Sequence, residues 1–159
     1  MAAYFFDTSA FVKYYHQEVG TATVSGIFAE HGRKIRISTL GLVEAQAAFA
    51  MKVRTGVIGR NAAGAFRARR LLDIAAAEIE VLLLTREHFS DAALLIGRYS
   101  FTKPLRTLDA LQLALAKDLR SQELLDIFVV ADRALCEVAK SEGLPVLNPE
   151  AIPLRPGCP

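Results

Sequence analysis

The sequence has few of the side chains that bind soft metals or form disulfides. It contains only two cysteines and three histidines in 159 residues. Cys136 and Cys158 show neither metal-site spacing nor a disulfide framework, and the histidines share no ligand spacing. No signal-peptide pattern is present either. These absences argue against a zinc site and a disulfide-stabilised secreted domain, and they predict a protein of the reducing cytoplasm.

Long apolar runs and a strong charge imbalance are also missing. No run reaches the ~18–20 residues that a membrane-spanning helix needs. With 19 basic and 17 acidic residues, the net charge of +2 does not indicate a nucleic-acid binder. It does not exclude one, because a balanced total can combine an acidic centre with basic margins. The chain has no internal repeat, low-complexity block or linker, and with 52% hydrophobic residues it can form one well-buried core.

Short apolar runs alternate with helical patterns along the chain. Strands are predicted from the first apolar run and at 33–38, 80–85, 126–130 and 143–147. Helices are predicted at 9–15, 21–30, about 39–55, 60–77, 86–99, 107–119 and 133–142. Ser38 or Thr39 is expected to cap the long third helix, which Gly56 ends, and Thr107 to cap the sixth. The last strand is expected at a sheet edge because it contains Pro145.

Strands separated by helices predict an α/β fold with a mainly parallel central sheet and helices on both faces. We expect a single domain over 1–150, followed by a proline-rich tail at 151–159.

Two carboxylates directly follow predicted strands. Asp7 ends the run Tyr4-Phe5-Phe6, and Asp132 follows Phe128-Val129-Val130-Ala131. In an open parallel sheet the carboxyl ends of the strands form the ligand-binding edge. If the two strands are neighbours, Asp7 and Asp132 meet there.

Two further carboxylates are isolated charges in apolar helices. Glu44 is the only charge between Thr39 and Met51, and Asp109 is the only one between Arg106 and Lys117. A buried carboxylate without a cation or partner is costly, which favours a functional reason for both. Four converging carboxylates would repel one another unless they bind hard cations, and oxygen-only ligands indicate Mg²⁺ or Mn²⁺ rather than zinc.

Each carboxylate also has a purely structural explanation. Asp7 and Asp132 can be helix N-caps, and Asp109 can interact with the dipole of its own helix. Glu44 can form a buried ion pair, for example with Arg106. The site disappears only if all four explanations hold together.

With these residues in place, the sequence resembles a PIN domain, and most of all the VapC-type toxins of toxin–antitoxin pairs. The matching segments are 6–14 (FDTSAFVKY), Ser38 through Ala45, 105–114 (LRTLDALQLA) and 128–135 (FVVADRAL). One departure is Gln112, which stands where relatives often carry histidine.

The resemblance implies an α/β/α sandwich and a Mg²⁺- or Mn²⁺-dependent endoribonuclease that leaves 5′-phosphate and 3′-hydroxyl ends. It also implies a homodimer and a cognate antitoxin that covers the active site. The implied catalytic and metal-binding residues are Asp7, Glu44, Asp109 and Asp132, supported by Thr8 or Ser9. Beyond the resemblance, Arg106 and Lys13 are candidate phosphate contacts.

Other functions stay open. A phosphotransfer receiver would need an acceptor aspartate after the third strand, and a dehalogenase-type phosphatase would need one at Ser9; both are missing. A binding module without catalysis, or an RNA-processing nuclease that is not a toxin, is the remaining alternative.

Overall fold

The computed structural model describes residues 2–151. The chain runs β1, α1, a short 3₁₀ turn, α2, β2, α3, α4, β3, α5, α6, β4, α7, β5. The strands are β1 Ala3–Phe6, β2 Lys34–Ser38, β3 Glu80–Leu82, β4 Ile127–Val129 and β5 Val146–Leu147. The helices are α1 Thr8–Phe11, α2 Thr21–Ala29, α3 Thr39–Arg54, α4 Arg60–Ala75, α5 Arg86–Tyr99, α6 Thr107–Ser121 and α7 Arg133–Ser141; the 3₁₀ turn is Val12–Tyr14.

The five strands form one parallel sheet in the order β3-β2-β1-β4-β5. β1 lies at the centre because it pairs with β2 on one side and β4 on the other. β5 lies at one edge, as the proline in its segment predicted. Since all pairs are parallel, the carboxyl ends of β1 and β4 lie side by side.

Two hydrophobic cores cover the two faces of the sheet. Phe5 and Phe128 stack at 5.5 Å between ring centroids on one face, where they meet α5, α6 and α7. Phe6, next in sequence, points to the opposite face and packs with residues of α1, α2 and α3. This alternation follows from the two-residue period of a strand. The predicted three-layer α/β/α architecture is therefore confirmed.

The signals for the third helix are confirmed. Ser38 is the N-cap of α3, and its Oγ accepts the backbone N–H of Gly41 at 2.8 Å. Gly56 follows the end of the helix with a φ of +74°, a left-handed conformation that favours glycine. Thr107, by contrast, is the first residue of α6, and the N-cap position is Arg106, which makes no side-chain capping bond.

The inner face of α5 differs from the sequence interpretation. The helical spacing of Phe89, Ala92, Ala93 and Ile96 predicts one shared apolar side, but Phe89 is 56% exposed. His88, which the sequence predicts as a surface histidine, is buried. Its Nδ1 accepts the N–H of Thr85 at 2.9 Å, so the imidazole caps the first turn of its own helix.

The third helix is less buried than its apolar sequence predicts. Val43 is 68% exposed and Met51 is 52% exposed, whereas Phe49 is buried. α3 therefore presents an uncovered apolar side in the single chain. The predicted strand at 80–85 is also shorter, since β3 ends at Leu82.

Within residues 2–151, no helix is both long enough and apolar enough to cross a membrane. Of the predicted tail at 151–159, only Ala151 belongs to the described residues.

Candidate active site

The first part of the site is built where β1 and β4 end. Phe6 pairs with Val129 across the two strands, and the backbone N–H of Asp7 donates to the carbonyl of Val129 at 2.9 Å. Asp7 thus lies directly at the carboxyl edge of the sheet, and Asp132 follows the neighbouring strand three residues after Val129.

Ser9 links the ends of these two strands. Its hydroxyl donates to Asp7 Oδ2 at 2.5 Å, and its backbone N–H donates to the same oxygen at 2.9 Å. The Ser9 Oγ in turn accepts the backbone N–H groups of Ala131 at 3.0 Å and Asp132 at 3.2 Å. Ser9 therefore orients Asp7 and holds the segment that carries Asp132.

Asp7 and Asp132 also cap the helices that follow them. Asp7 is the N-cap of α1, and Asp132 Oδ1 accepts the backbone N–H of Leu135 in α7 at 2.9 Å. The capping role that we considered as an alternative is thus present in both residues. It does not replace the site, because each carboxylate has a second oxygen.

Glu44 reaches the site from α3. Its Oε2 accepts hydrogen bonds from Thr8 Oγ1 at 2.8 Å and from Gln112 Nε2 at 3.0 Å. No ion pair joins Glu44 to Arg106 among residues 2–151, so the buried ion pair considered as an alternative is wrong for this residue.

Asp109 lies in the first turn of α6 and is half-buried. Its pKa is raised to about 6, chiefly by burial and then by the negative charges of Asp7 and Asp132. The positive charge of Arg106 opposes this shift, and Glu44 adds to it. Such mutual influence requires short separations, so the four carboxylates lie near one another at the carboxyl edge of the sheet; we refer to this region as the crevice.

Asp7 experiences the same environment more strongly because it is only 4% exposed. Burial raises its pKa to about 6, although the hydrogen bonds from Ser9 lower it, and the charge of Glu44 raises it further. The crevice is therefore an acidic region in which hydrogen bonds from Ser9 and the charge of Arg106 only partly offset the raised pKa values of Asp7 and Asp109.

The donor set fits a hard divalent cation. The crevice contains carboxylate and hydroxyl oxygens, and no imidazole or thiolate is among its predicted ligands, which favours Mg²⁺ or Mn²⁺. Within residues 2–151, no group of three or more histidine, cysteine, aspartate or glutamate side chains is arranged so that it could already hold a metal ion. Mg²⁺ commonly binds through one or two carboxylates and keeps several waters, so an open arrangement is compatible with it.

The two candidate phosphate contacts have different positions. Arg106 is exposed and acts on Asp109 at the crevice. Lys13 is buried, and its Nζ lies 2.9 Å from Glu18 and 2.6 Å from Glu150. An ammonium held by two carboxylates is not available to a phosphate, so the structure does not support the hypothesis for Lys13.

Sequence reasoning missed Gln112 and Ser38 as parts of the site. Gln112 is fully buried and contacts Glu44, and Ser38 Oγ donates to Gln112 Oε1 at 2.8 Å. The available signal was a single polar amide inside an otherwise apolar helix, which indicates a buried hydrogen-bonded side chain.

The family model for the PIN domain matches residues 4–141. The chain therefore belongs to the PIN domain family. A comparison with curated protein sequences gives no match.

Several solved structures share the fold. The VapC20 toxin of Mycobacterium tuberculosis, described as cleaving the sarcin–ricin loop, is 19% identical with a TM-score of 0.64; the match covers 94% of this chain and 99% of that one. FitAcB from Neisseria gonorrhoeae is 15% identical with a TM-score of 0.66, over 94% and 99% of the two chains. A toxin–antitoxin complex from Klebsiella pneumoniae is 16% identical with a TM-score of 0.59, over 96% and 100%. At these identities the likeness shows the fold.

Proposed function

We propose that this protein is a Mg²⁺- or Mn²⁺-dependent endoribonuclease that acts in the cytoplasm as the toxin of a type II toxin–antitoxin pair. The observation that carries the proposal is the crevice formed by Asp7, Glu44, Asp109 and Asp132, in which burial and mutual repulsion raise the pKa of two carboxyls to about 6. Neighbouring carboxyls with raised pKa values are typical of functional sites. Membership of the PIN family and the likeness to VapC-type folds support a ribonuclease.

In this mechanism Asp7 and Asp109 would hold the cation directly, and Glu44 and Asp132 would be further ligands or act through water. When bound, the cation would lower the pKa of a water molecule and neutralise charge on the scissile phosphate. Glu44 or Asp132 orients the attacking water or takes its proton, the water oxygen bonds to phosphorus in line, and the 3′-oxygen leaves and takes a proton from solvent. The products then carry 5′-phosphate and 3′-hydroxyl ends.

Two side chains assist in this scheme. Ser9 keeps Asp7 in place through its hydroxyl. Arg106, exposed beside Asp109, contacts a backbone phosphate of the RNA.

The experiment is cleavage of total RNA and purified tRNAs by antitoxin-free protein. Reactions contain Mg²⁺, Mn²⁺ or EDTA, with Asp7→Asn in parallel and Asp91→Asn as a matched control on the exposed side of α5. We expect discrete metal-dependent cuts that vanish in Asp7→Asn and persist in Asp91→Asn. Full cleavage by Asp7→Asn would contradict the proposal. Tight Mn²⁺ binding with no cleavage of any RNA would favour the binding-module alternative.

We further propose that the cognate antitoxin binds the uncovered side of α3. A groove of about 620 Å³ lies between α3 and α4. It is lined by Leu42, Val43, Gln46, Ala47, Ala50, Arg67, Arg70 and Leu71. The Nη1 atom of Arg70 is buried and has no hydrogen-bond partner within residues 2–151. An apolar antitoxin segment carrying a carboxylate would fill the groove and pair with Arg70.

The affinity of the cognate antitoxin for Val43→Lys tests this assignment. Leu94→Lys on α5 is the matched control, because Val43 and Leu94 are both 68% exposed. We expect the antitoxin to bind Leu94→Lys as it binds the unchanged protein and to lose most of its affinity for Val43→Lys. Equal affinities for both variants would place the antitoxin elsewhere.

We also propose a homodimer, as the family resemblance implies. Light scattering during size-exclusion chromatography measures the mass directly. A mass near 17.3 kDa at micromolar concentration would contradict the dimer.

A further inference from the structure

The most constrained polar side chain near the crevice is one to which the mechanism above gives no role. Gln112 lies in the middle of α6 and is 0% exposed. A buried amide is costly unless both of its ends are hydrogen-bonded. Here both ends are used, since Oε1 accepts from Ser38 Oγ at 2.8 Å and Nε2 donates to Glu44 Oε2 at 3.0 Å.

The orientation of this amide is determined by its neighbours. Ser38 Oγ already accepts the backbone N–H of Gly41 at 2.8 Å as the N-cap of α3, so its own hydrogen needs an acceptor. Among residues 2–151, the oxygen of Gln112 is the one that accepts it. The reverse orientation would leave the Ser38 hydrogen unpaired and direct the amide oxygen at a carboxylate. The Gln112 NH₂ group must therefore face Glu44.

Glu44 Oε2 receives a second donor from another layer of the fold. Thr8 Oγ1, at the start of α1, donates to it at 2.8 Å. The Oε2 atom is thus held from both α1 and α6, whereas Oε1 receives no hydrogen bond from any residue of 2–151. The geometry directs one oxygen of Glu44 to the protein and leaves the other for a ligand.

Close packing removes alternative positions for the amide. A Cβ added at Gly41 would lie 2.7 Å from Ile37 Cγ1 and 3.3 Å from Gln112 Nε2. The first turn of α3 therefore packs against the Gln112 side chain, and Gly41 is required because of this close approach.

We propose that Gln112 is a positioning residue that holds Oε2 of Glu44, together with Thr8, so that Oε1 is presented to the divalent cation and the attacking water. The inference rests on the proposed function. Outer-shell hydrogen bonds of this kind orient the ligands of a metal, and their loss typically weakens metal affinity or activity by about 10–100-fold.

The test compares Gln112→Met, Gln112→His and Leu119→Ala with the unchanged protein. Methionine keeps the volume and removes both hydrogen bonds. Neutral histidine restores one acceptor for Ser38 and one donor for Glu44. Leu119→Ala is the control for loss of stability, because Leu119 is a buried core residue near the opposite end of the same helix.

Three measurements are made on each protein: the melting temperature, the dissociation constant of Mn²⁺ by isothermal titration calorimetry without RNA, and the kinetic constants kcat and KM for the cleaved RNA. We expect Gln112→Met to weaken Mn²⁺ binding by about tenfold or more and to lower kcat with little change in KM. Gln112→His should recover most of both losses, and Leu119→Ala should lower the melting temperature while leaving Mn²⁺ affinity unchanged.

Three results would overturn the inference. If Gln112→Met binds Mn²⁺ and turns over RNA like the unchanged protein, Gln112 only fills space, although the proposed function survives. If Leu119→Ala loses Mn²⁺ affinity as strongly as Gln112→Met, the effect is one of general stability. If the unchanged protein binds no Mn²⁺ and cuts no RNA, the proposed function fails and the inference fails with it.

Discussion

Buried carboxylates occupy two regions of this molecule in opposite electrostatic surroundings. At the carboxyl edge of the sheet, Asp7 and Asp109 have their pKa raised to about 6 by burial and neighbouring acids. Where α5 and α6 meet the end of α7, the Glu142 side chain is only 6% exposed, yet its pKa is lowered to about 2. Burial alone raises this pKa too, but hydrogen bonds from Lys117, Tyr99 and Arg98 reverse the effect.

The difference separates an acid with a structural role from the acids for which we propose a catalytic one. Glu142 accepts bonds from Arg98 at 2.7 Å and from Tyr99 at 2.6 Å, so its charge links α5 to the end of α7. The crevice acids have hydroxyl and amide neighbours, and Arg106 is the cation that acts on Asp109. Among residues 2–151, Glu142 has cationic partners and Asp7 has none, as we expect if a bound ligand supplies the positive charge at Asp7.

The largest expected effect comes from replacing one carboxylate by its amide in each of the two regions. Loss of an outer-shell partner typically costs about 10–100-fold in activity. Asp109→Asn should reduce RNA cleavage by more than this, because it removes a side chain that we propose to be a direct ligand. Glu142→Gln should cleave RNA at the normal rate. Initial rates in Mg²⁺ and in Mn²⁺ measure both, and equal losses in the two variants would erase the distinction.

Added metal should stabilise the protein through the crevice alone. At a Mn²⁺ concentration 100 times its dissociation constant, binding to the folded state contributes about 2.7 kcal/mol. We expect the melting temperature of the unchanged protein and of Glu142→Gln to rise with Mn²⁺, and that of Asp7→Asn to stay constant. A comparable rise in Asp7→Asn would place the cation outside the crevice.

Breaking the paired acid should destabilise the fold. Holding the pKa of Glu142 near 2 instead of 4.5 corresponds to roughly 3 kcal/mol of unfolding free energy. Because Arg98 and Lys117 are partly exposed, solvent screening reduces this contribution to about 2 kcal/mol. Urea unfolding at pH 7 should show that Glu142→Gln is less stable than the unchanged protein by this amount. The difference in stability should shrink as the pH falls from about 4.5 toward 2, because a lowered pKa stabilises the fold only while the group is ionised in the folded state.

The crevice acids should show the reverse dependence in metal-free protein. Between pH 3.8 and about 6 the folded state of Asp7 binds more protons than the unfolded state, so stability falls as the pH rises through this window. Asp7→Asn removes this fall in stability because asparagine does not ionise, and asparagine can still cap the helix. In EDTA at pH 7.5 the variant should be about 1–2 kcal/mol more stable than the unchanged protein, and the gain should largely vanish at pH 4. A destabilised variant at pH 7.5 would contradict the raised pKa.

Isolated charges and strand ends were the informative sequence features. Asp7 and Asp132 could be placed at one edge because the carboxyl ends of parallel strands meet there, and β1 and β4 do pair. Glu44 could be selected because a lone acid in an apolar helix needs a reason. The fold class followed from the alternation of strands and helices.

Features that depend on distant partners could not be predicted in this way. Lys13 pairs with Glu18 and also with Glu150, 137 residues away, and the local sequence does not indicate the second partner or the burial of the charge. His88 interacts with Asp118 on the next helix at 3.2 Å. The exposure of one side of α3 could not be predicted for another reason. An apolar helix face has the same sequence whether the chain itself or a binding partner covers it.

The central position of β1 also affects when the site can exist during synthesis. β1 is made first, but its partner β4 and the Ser9–Asp132 contact require residues 123 positions further along. At about 5–20 residues per second, the nascent chain spends several seconds without its fourth carboxylate and with β1 paired on one side only. A ribosome that stalls before Asp132 therefore holds an incomplete crevice. The order of the strands thus delays assembly of the acidic centre until translation of the domain is almost finished.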